Sequence, residues 1–385
     1  QVRHDGVVRW AQALPLNFAP GIANKLACEA IMPLSAAGCL APVYGDNRGN
    51  GRLDSKNTGA VFITRRGSTH FFDPFNSNGN YNGTIVAKPG SGKSFVLQYL
   101  ISCYLAEGTN VFLLDNGRST KKFCNAVGGE FNEFSLSEGY RPSLNPFTGL
   151  SDEDFNEEQE GITALLLLMA FHDEPVQPGA RIAMGEAVRA AHGCKGSCAE
   201  IRDVVDALAQ TSAQGMEKTE RNEVEIAATN LIPRLEAFLR SPTRGTFFSG
   251  PGTINANSQF TVFEMGGLNG DVHLYKCVMF FVLNMLMTRI KNIKGRKLIF
   301  VDEAHDLFKD HDAEGAMGGI YLKGRKDKVG VFVIVQSLIK LAESSTGKVI
   351  LNTSEWKLIL AQTAEETGTL FTQKLLAKHS GDPYF

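Results

Sequence analysis

The chain has 385 residues, which suggests two or three domains or one large α/β domain with an insertion. Hydrophobic residues make up 43% and charged residues 21%, which excludes a wholly disordered chain, a collagen and a small disulfide scaffold. The net charge of −2 gives no global basic field of the kind that attracts nucleic acid. Seven scattered cysteines favour reduced thiols in a cytosolic compartment.

The sequence predicts no transmembrane segment, because no apolar run reaches the roughly 18 residues that a spanning helix needs. The amino-terminal residues lack the basic-then-apolar pattern of an export signal. Because the first residue is Gln1 and not Met, we expect the sequence to be a processed or shortened protein, or only the ordered part of one.

Residues 1–75 are interrupted by prolines, so they predict no long helix. Residues 61–64 and 70–72 are typical of short strands around a turn. We interpret residues 1–75 as a partial N-terminal domain or lead-in segment.

A βαβ unit follows. Residues 84–87 form a short apolar run, residues 93–107 carry apolar side chains at helical spacing, and residues 111–114 form a second apolar run. A strand, a helix and a strand within about 30 residues predict a parallel sheet.

The rest of the chain predicts an α/β core that is interrupted by helices. Helical patterns cover residues 162–171, 180–192, 201–210 and 220–240, and Ser151 followed by acidic residues is typical of a helix start. Strand-like runs return at residues 259–264, 297–301, 329–335 and 356–361, with an apolar helix at 274–290. The predicted fold is therefore α/β, with a mostly parallel sheet in residues 76–150 and 246–385 and an inserted all-α subdomain at 151–245.

The clearest chemical signal is Ala87-Lys-Pro-Gly90-Ser-Gly92-Lys93-Ser94, which matches a P-loop with alanine at its first glycine position. Glycines let backbone N–H groups point at phosphates, and the start of the next helix adds its positive dipole end. Lys93 is predicted to neutralise the β- and γ-phosphates of ATP, and the Ser94 hydroxyl to bind Mg²⁺. The predicted nucleotide-binding residues are Pro89, Gly90, Ser91, Gly92, Lys93, Ser94 and Phe95.

A second acidic element completes this prediction. The apolar run at 298–301 ends in Asp302 and Glu303. Asp302 is predicted to hold Mg²⁺ as a Walker-B aspartate does, and Glu303 to polarise the attacking water. A helix cap is the alternative interpretation of these two carboxylates.

Three further polar residues are candidates with open alternatives. Gln336 ends the run at 329–335 and could sense the γ-phosphate, or it could be a turn residue. Arg325 could reach a neighbouring subunit's nucleotide as an arginine finger, or it could belong to a solvated basic loop. Arg118 follows the second strand of the βαβ unit and could contact a phosphate or a subunit interface.

Several motifs together resemble the TraC-type conjugative ATPases, the large ATPases of type IV secretion systems. The motifs are Phe72-Asp-Pro-Phe75, Asn80-Tyr-Asn82, Asp115-Asn-Gly-Arg-Ser119 with Lys121-Lys122, Gly128-Gly-Glu130-Phe, Leu144-Asn-Pro-Phe147, Asp302-Glu303, Gln336-Ser337 and Asn352-Thr-Ser-Glu-Trp356. The resemblance covers about residues 70–362.

The resemblance implies a RecA-like P-loop NTPase core with a helical insertion, assembled as a homo-hexamer. It also implies a peripheral position on the cytoplasmic face of the bacterial inner membrane, with the inner-membrane complex and a coupling ATPase as partners. Such an ATPase powers substrate transfer and pilus assembly. Only part of the family's N-terminal docking domain would fit into residues 1–75.

Two other functions remain open. A DNA-translocating RecA-like ATPase of the HerA, FtsK or coupling-protein type is possible, although the net charge does not indicate DNA binding. The five basic residues in 289–297 could touch nucleic acid or belong to a solvated loop. The second of these functions is a scaffold that binds ATP but scarcely hydrolyses it. The presence of the four residues predicted to bind and hydrolyse ATP argues against a scaffold; they are Lys93, Ser94, Asp302 and Glu303.

Overall fold

The computed structural model describes residues 48–51, 59–65, 67–137, 142–172, 174–210, 218–254, 258–302, 327–343 and 345–363. The chain divides into two compact units, one of residues 1–47 and 64–68 and the other of residues 48–63 and 69–385. All helices and strands with described bounds belong to the second unit.

A seven-stranded parallel sheet organises the described part of that unit. Its strand order is β5-β6-β4-β7-β8-β3-β9. The strands are β3 (Gly83–Val86), β4 (Asn110–Asp115), β5 (Glu130–Ser135), β6 (Phe260–Gly267), β7 (Lys297–Val301), β8 (Val329–Val335) and β9 (Trp356–Ile359). A separate antiparallel pair comprises β1 (Ala60–Ile63) and β2 (Thr69–Phe72), close to the predicted strands.

Helices cover both faces of the sheet, so its central strands are buried on both sides. The helices are α1 (Lys93–Ala106), α2 (Lys121–Ala126), α3 (Asp152–Phe171), α4 (Ala180–Lys195), α5 (Ile201–Ala209), α6 (Lys218–Arg240), α7 (Val272–Asn292), α8 (Leu338–Glu343) and α9 (Ser345–Thr353). Short 3₁₀ turns lie at Gly196–Cys198 and Gly245–Phe248.

Side chains along β4 point alternately to the two faces of the sheet, so one apolar run contributes to two hydrophobic cores. Val111 and Leu113 face the core that includes α1, whereas Phe112 and Leu114 face the core that includes α3 and α7. Because successive side chains of a strand point to opposite faces, a strand between two helical layers must be apolar at every position. This requirement explains why β4, β7 and β8 have nearly continuous apolar sequences.

The helices α3 to α6 follow β5 and precede β6, although β5 and β6 are neighbours in the sheet. They contact one another, and α3 also packs against α7. At the start of α3 the Ser151 side chain accepts a hydrogen bond from Asp154 N at 3.1 Å, which confirms the predicted helix start. The domain boundaries stay a prediction.

The strand β5 and the helices α2, α8 and α9 were not predicted from the sequence. The apolar residues Phe131 and Phe134 of β5 are three positions apart, which breaks the two-residue period of a strand. Helices α2 and α8 have six residues each, too few for a periodic pattern to emerge. Among the described residues, no helix is both long and apolar enough to span a bilayer.

Candidate nucleotide site

Three neighbouring strands carry the predicted site residues at one edge of the sheet. The P-loop follows β3, Gln336 follows β8, and Asp302 follows β7. Val86 is the register partner of Val335, and Val333 is the partner of Val301, so the carboxyl ends of these strands lie side by side. In open α/β sheets, ligands bind at this edge.

The P-loop turns sharply between Val86 and α1. Gly90 has φ +76° and Gly92 has φ +91°, and a Cβ at either position would meet nothing within 4 Å. Glycine is therefore required by backbone conformation and not by lack of space. The loop is braced internally, because Ser91 donates from its backbone N and its Oγ to Lys88 O at 3.1 and 2.6 Å.

The side chains of Lys93 and Asp302 meet across the end of β8. Lys93 Nζ lies 3.0 Å from Asp302 Oδ1, and the two side chains are 22% and 8% exposed. The backbone N of Asp302 donates to Leu114 O at 2.9 Å, which extends the ladder between β7 and β4 and directs Asp302 to this edge. The fold thus brings together two residues that are 209 positions apart in the sequence.

The donors and acceptors at this edge fit a nucleotide phosphate with a divalent cation. A glycine-rich turn followed by a helix start offers N–H groups, Lys93 offers a cation, and Asp302 and Ser94 offer oxygen ligands. Ser94 is half-buried in the first turn of α1. Phe95 beside it is 76% exposed.

Gln362, just beyond β9, holds the strand that leads into the P-loop. Its Nε2 donates to Val86 O at 3.2 Å and to Leu360 O at 3.1 Å. The backbone N of Lys88 in the P-loop donates to Ala361 O at 3.4 Å. Sequence reasoning missed this contact because a glutamine after a short edge strand gives no signal until the neighbouring strand is known.

Of the three other residues predicted to act in hydrolysis, only Gln336 lies within the described residues. Gln336 is exposed at the end of β8, between the P-loop strand and the Asp302 strand. Glu303 and Arg325 lie outside the described residues, so their predicted roles as water-polarising base and arginine finger stay predictions.

Arg118 extends away from the P-loop. Its Nη2 lies 2.8 Å from Glu133 Oε1 on β5, and its side chain is 56% exposed. In the strand order, β5 lies two positions from β4 on the side opposite to β7, β8 and β3. The structure therefore does not bring Arg118 together with Lys93 and Asp302. Lys121 also contacts Glu133, and the two cations lower the pKa of this carboxyl.

Glu264 fixes the backbone around Arg118. No sequence pattern indicated this role of Glu264. This buried carboxylate of β6 accepts hydrogen bonds from the backbone N of Gly117, Arg118 and Gly266, at 3.1, 2.7 and 2.8 Å. Burial and the neighbouring Asp115 raise the pKa of Glu264, and the three N–H donors counteract that rise. Glu264 thereby supports the positive φ of Arg118, which is 56°.

Motifs that supported the family resemblance have structural roles beside the site. Asn82 Oδ1 accepts from Val331 N at 3.0 Å, and Asn82 O accepts from Trp356 N at 3.1 Å, so Asn82 joins β8 and β9 at the start of β3. Trp356 Nε1 donates to Pro74 O at 3.1 Å. Thr84 Oγ1 and Ser354 Oγ share a buried hydrogen bond of 2.9 Å. These contacts hold the P-loop strand between its neighbours.

The basic residues in 289–297 are largely engaged within the chain. Arg289 Nη2 donates to Ile254 O at 3.0 Å, Arg296 Nη1 lies 3.2 Å from Asp73 Oδ2, and Lys291 pairs with Glu157. Lys297 Nζ donates to Ile290 O at 3.2 Å and to Asp327 O at 2.6 Å. Arg289 and Lys291 lie in the last turns of α7 and Lys297 begins β7, and the loop between them exposes Lys294, so the interpretation as a solvated loop applies to residues 293–296.

The amino-acid sequence matches one protein-family model and one curated relative. The TraG P-loop domain family model matches residues 71–377. Protein TraC of Escherichia coli strain K12 is 27% identical over 376 residues, which cover 95% of this chain and 39% of TraC. The chain thus spans about two fifths of the length of this curated relative.

Solved structures share the fold. The structure of VirB4 of Thermoanaerobacter pseudethanolicus matches with a TM-score of 0.65 at 21% identity, covering 84% of this chain and 88% of that one. The bacterial conjugative coupling protein TrwB matches with a TM-score of 0.57 at 15% identity, covering 84% and 77%. TrwB in complex with ADP and Mg²⁺ gives a TM-score of 0.51 at 16% identity, covering 78% and 73%.

These matches confirm the predicted RecA-like P-loop architecture and the predicted resemblance to TraC-type conjugative ATPases. The matched region includes the P-loop, the Asp302 strand and the β8 strand. The chain therefore belongs to the family of TraG P-loop domains.

Proposed function

We propose that this chain is the ATP-hydrolysing motor domain of a conjugative type IV secretion system and that it powers substrate transfer and pilus assembly. The observation that carries the proposal is the contact between Lys93 Nζ and Asp302 Oδ1 at 3.0 Å, at the edge where the P-loop begins. The similarity to TraC and to the coupling protein TrwB supports the conjugative setting.

The residues of the site have separable roles in this proposal. The P-loop backbone and Lys93 bind the phosphates, and Lys93 neutralises charge that develops on the γ-phosphate. Ser94 and Asp302 would hold Mg²⁺, which polarises the phosphoryl group when bound. Glu303 orients and polarises the attacking water, and Gln336 at the end of β8 contacts the γ-phosphate. TrwB, which shares the fold, has been solved with ADP and Mg²⁺.

The contact between Lys93 and Asp302 suggests how the site changes on binding. Each residue neutralises the other at 3.0 Å, and a Mg²⁺-nucleotide offers each an opposite charge, since Lys93 would turn to phosphate and Asp302 to the cation. Binding would therefore replace one ion pair by two interactions of the same kind.

Lys93→Ala tests the proposal. We expect this variant to lose nucleotide affinity and turnover together, because the lysine charge on the β- and γ-phosphates is gone. Steady-state phosphate release and equilibrium binding of a fluorescent ATP analogue measure the two properties. Lys122→Ala, an exposed lysine in α2, is the matched control and should change neither. Wild-type affinity and turnover in Lys93→Ala would contradict the site.

The cellular setting is part of the same proposal. We infer a homo-hexamer on the cytoplasmic face of the inner membrane, contacting the inner-membrane complex and a coupling ATPase. Reconstitution of the purified chain with inner-membrane vesicles that contain or lack the secretion apparatus tests it. The chain should sediment only with vesicles that contain the apparatus, and its turnover should rise there.

The fold of the coupling protein TrwB favours a second candidate, a DNA-translocating ATPase. The engaged basic residues Arg289, Lys291, Arg296 and Lys297 argue against DNA binding at that run. Stimulation of turnover by DNA that weakens steeply with added salt would support this candidate, because phosphate contacts depend on counterion release.

A further inference from the structure

The strand β3, which leads into the P-loop, has different neighbours on its two sides. On one side lie β8 and β7, which are followed by Gln336 and Asp302. On the other side lies β9, and Gln362 comes shortly after it. This second side of β3 is hereafter the β9 flank. A polyphosphate chain whose terminal phosphate lies at Asp302 directs the nucleoside away from β7 and toward the β9 flank.

Phe95 in the first turn of α1 faces the β9 flank. It shares a helix face with Tyr99, because residues four positions apart lie one above the other. Tyr99 packs against Phe62 of β1, with ring centroids 5.6 Å apart. The partner strand β2 packs in turn against β9, since the Phe72 and Trp356 rings are 5.3 Å apart. The face of α1 that carries Phe95 is therefore the face on the side of β9.

The Phe95 ring offers a flat apolar surface beside the phosphate site. The side chain is largely exposed, and it directly follows Ser94, the proposed Mg²⁺ ligand. Aromatic rings are the usual platforms on which proteins stack nucleobases, because every base has a flat π-face. A base that covers this ring removes apolar surface from water, which is favourable.

Gln362 supplies a hydrogen-bond acceptor on the same flank. Its Nε2 donates to Val86 O and Leu360 O at 3.2 and 3.1 Å, which fixes the orientation of the carboxamide. Its Oε1 is buried and accepts no hydrogen bond from the part of the chain that the structure describes. Lys88 N donates to Ala361 O at 3.4 Å, so this acceptor lies beside the first residues of the P-loop. A buried acceptor without a donor is unfavourable, so a ligand that brings a donor gains from meeting it.

Given the proposed ATPase function, on which this inference rests, we propose that the β9 flank holds the nucleoside and selects adenine. The base stacks on the Phe95 ring, and its exocyclic amine donates a hydrogen bond to Gln362 Oε1. An acceptor at this place favours adenine, whose 6-position carries an N–H donor, over guanine, whose 6-position carries a carbonyl oxygen. The two ends of the nucleotide are thus recognised by separate residues.

Three ligands, each with Mg²⁺, separate these contacts. They are ATP, purine riboside triphosphate, which lacks the 6-amino group, and inorganic tripolyphosphate, which lacks the nucleoside. Isothermal titration calorimetry measures their affinities for the whole chain. The wild type should bind ATP about two- to tenfold more tightly than purine riboside triphosphate, the range for one neutral hydrogen bond. Equal affinities for these two ligands would overturn the selection of adenine.

Variants of Phe95 test the stacking contact. Phe95→Ala should weaken ATP binding about 5- to 100-fold and leave tripolyphosphate binding unchanged, because only the base loses its platform. Phe95→Trp keeps an aromatic face, so it should bind ATP as the wild type does. Ile63→Ala removes a similarly exposed apolar side chain from β1 and should change neither affinity.

Two results with Phe95→Ala would overturn the stacking contact. The first is an equal loss of affinity for ATP and tripolyphosphate. The second is unchanged ATP affinity together with altered sedimentation, which would assign the ring to a contact between subunits.

Gln362→Met tests the acceptor and should abolish the preference for ATP over purine riboside triphosphate. The variant also loses the hydrogen bond to Val86 O, but a change in the P-loop strand weakens both ligands by the same factor and leaves their ratio unchanged. Gln210→Met, at an exposed glutamine just after α5, should keep the wild-type preference. A preference that persists in Gln362→Met would overturn the proposal. Failure of the wild type to bind both ATP and tripolyphosphate would instead contradict the proposed nucleotide site.

Discussion

At the residue scale, we expect the adjacent carboxylates Asp302 and Glu303 to have different tasks. Asp302 is buried and contacts Lys93, so its carboxylate is held within the chain. Glu303 comes next in the chain, and we expect it to act on water and not on the phosphate. Removal of the Asp302 carboxylate should therefore affect nucleotide binding, and removal of the Glu303 carboxylate should affect hydrolysis.

Glu303→Gln should bind ATP normally and lose turnover by orders of magnitude. The amide keeps the shape of the side chain but cannot polarise water as a carboxylate does, whereas Lys93, Ser94 and Asp302 still bind the nucleotide. Equilibrium binding and single-turnover hydrolysis of ATP measure the two steps separately. A wild-type hydrolysis rate in Glu303→Gln would contradict the catalytic role of Glu303 and favour its role as a helix cap.

Glu264→Gln should destabilise the chain by about 1–3 kcal/mol. Glu264 accepts three backbone hydrogen bonds in a buried position, and a glutamine turns part of that acceptor into a donor facing N–H groups. Urea unfolding measures the free energy. Glu133→Gln, at a half-buried carboxylate on the neighbouring strand, is the comparison and should cost less. Equal losses for the two variants would contradict this role of Glu264.

At the element scale, the start of α7 is joined to the helical block by a partly buried polar cluster. Arg244 binds Asp271 through Nε and Nη2, at 2.6 and 3.0 Å, and Asp271 caps α7 at Leu274 N. His273 Nε2 lies 2.8 Å from Leu168 O in α3, and its Nδ1 lies 3.3 Å from Arg244 Nη1. A neutral ring with its proton on Nε2 satisfies both contacts.

This cluster predicts a loss of stability in mild acid. Burial lowers the pKa of His273 to about 4, with contributions from His172 and Arg244, compared with about 6.5 for an unfolded histidine. The folded state therefore binds fewer protons between these values. The stabilisation is complete above pH 6.5 and is lost as the pH falls toward 4, and the loss reaches about 2 kcal/mol at pH 5.

Unfolding by urea at pH 7.5, 6.0 and 5.0 measures this effect in the wild type and in His273→Gln. The variant should show a shallower fall of unfolding free energy with pH, because the titrating ring is gone. His70→Gln in β2 should be measured alongside as a histidine remote from α7. Parallel pH curves for the wild type and His273→Gln would exclude His273 as the source.

At the scale of the whole molecule, the described residues around the P-loop include one large exposed side chain and no arginine beside Lys93. Phe95 is 76% exposed next to the P-loop, and Arg118 does not reach Lys93 or Asp302, since it pairs with Glu133. We expect a neighbouring subunit to complete the catalytic set with Arg325, because an arginine contributes most where charge develops on the γ-phosphate.

Turnover per subunit should therefore rise with protein concentration as rings form. Arg325→Ala should bind ATP normally and hydrolyse it poorly. Mixtures of Arg325→Ala with Glu303→Gln subunits should recover activity, because some mixed interfaces contain both intact groups. Phosphate release across a dilution series, with assembly followed by analytical ultracentrifugation, measures these effects.

No recovery in mixtures that co-assemble would count against Arg325 as the finger and direct attention to Arg118. Constant turnover from a demonstrated monomer would exclude a mechanism in trans.

The sequence by itself determined the P-loop, the Asp302 strand and the parallel α/β class. These features depend on local patterns, since glycines mark a tight turn and continuous apolar runs mark strands that are buried on both faces. The capping box of α3 was equally local, because Ser151 and Asp154 are three positions apart.

Only the tertiary structure decided which distant residues meet. The strand order places β8 between β3 and β7, and thereby sets Lys93 against Asp302 and directs Arg118 toward Glu133. Gln362 and Glu264 became recognisable as supports of the site only once their partners at Val86 and Gly117 were known. The physical reason is that contacts between residues far apart in sequence depend on how strands and helices pack, and no local periodicity encodes that packing.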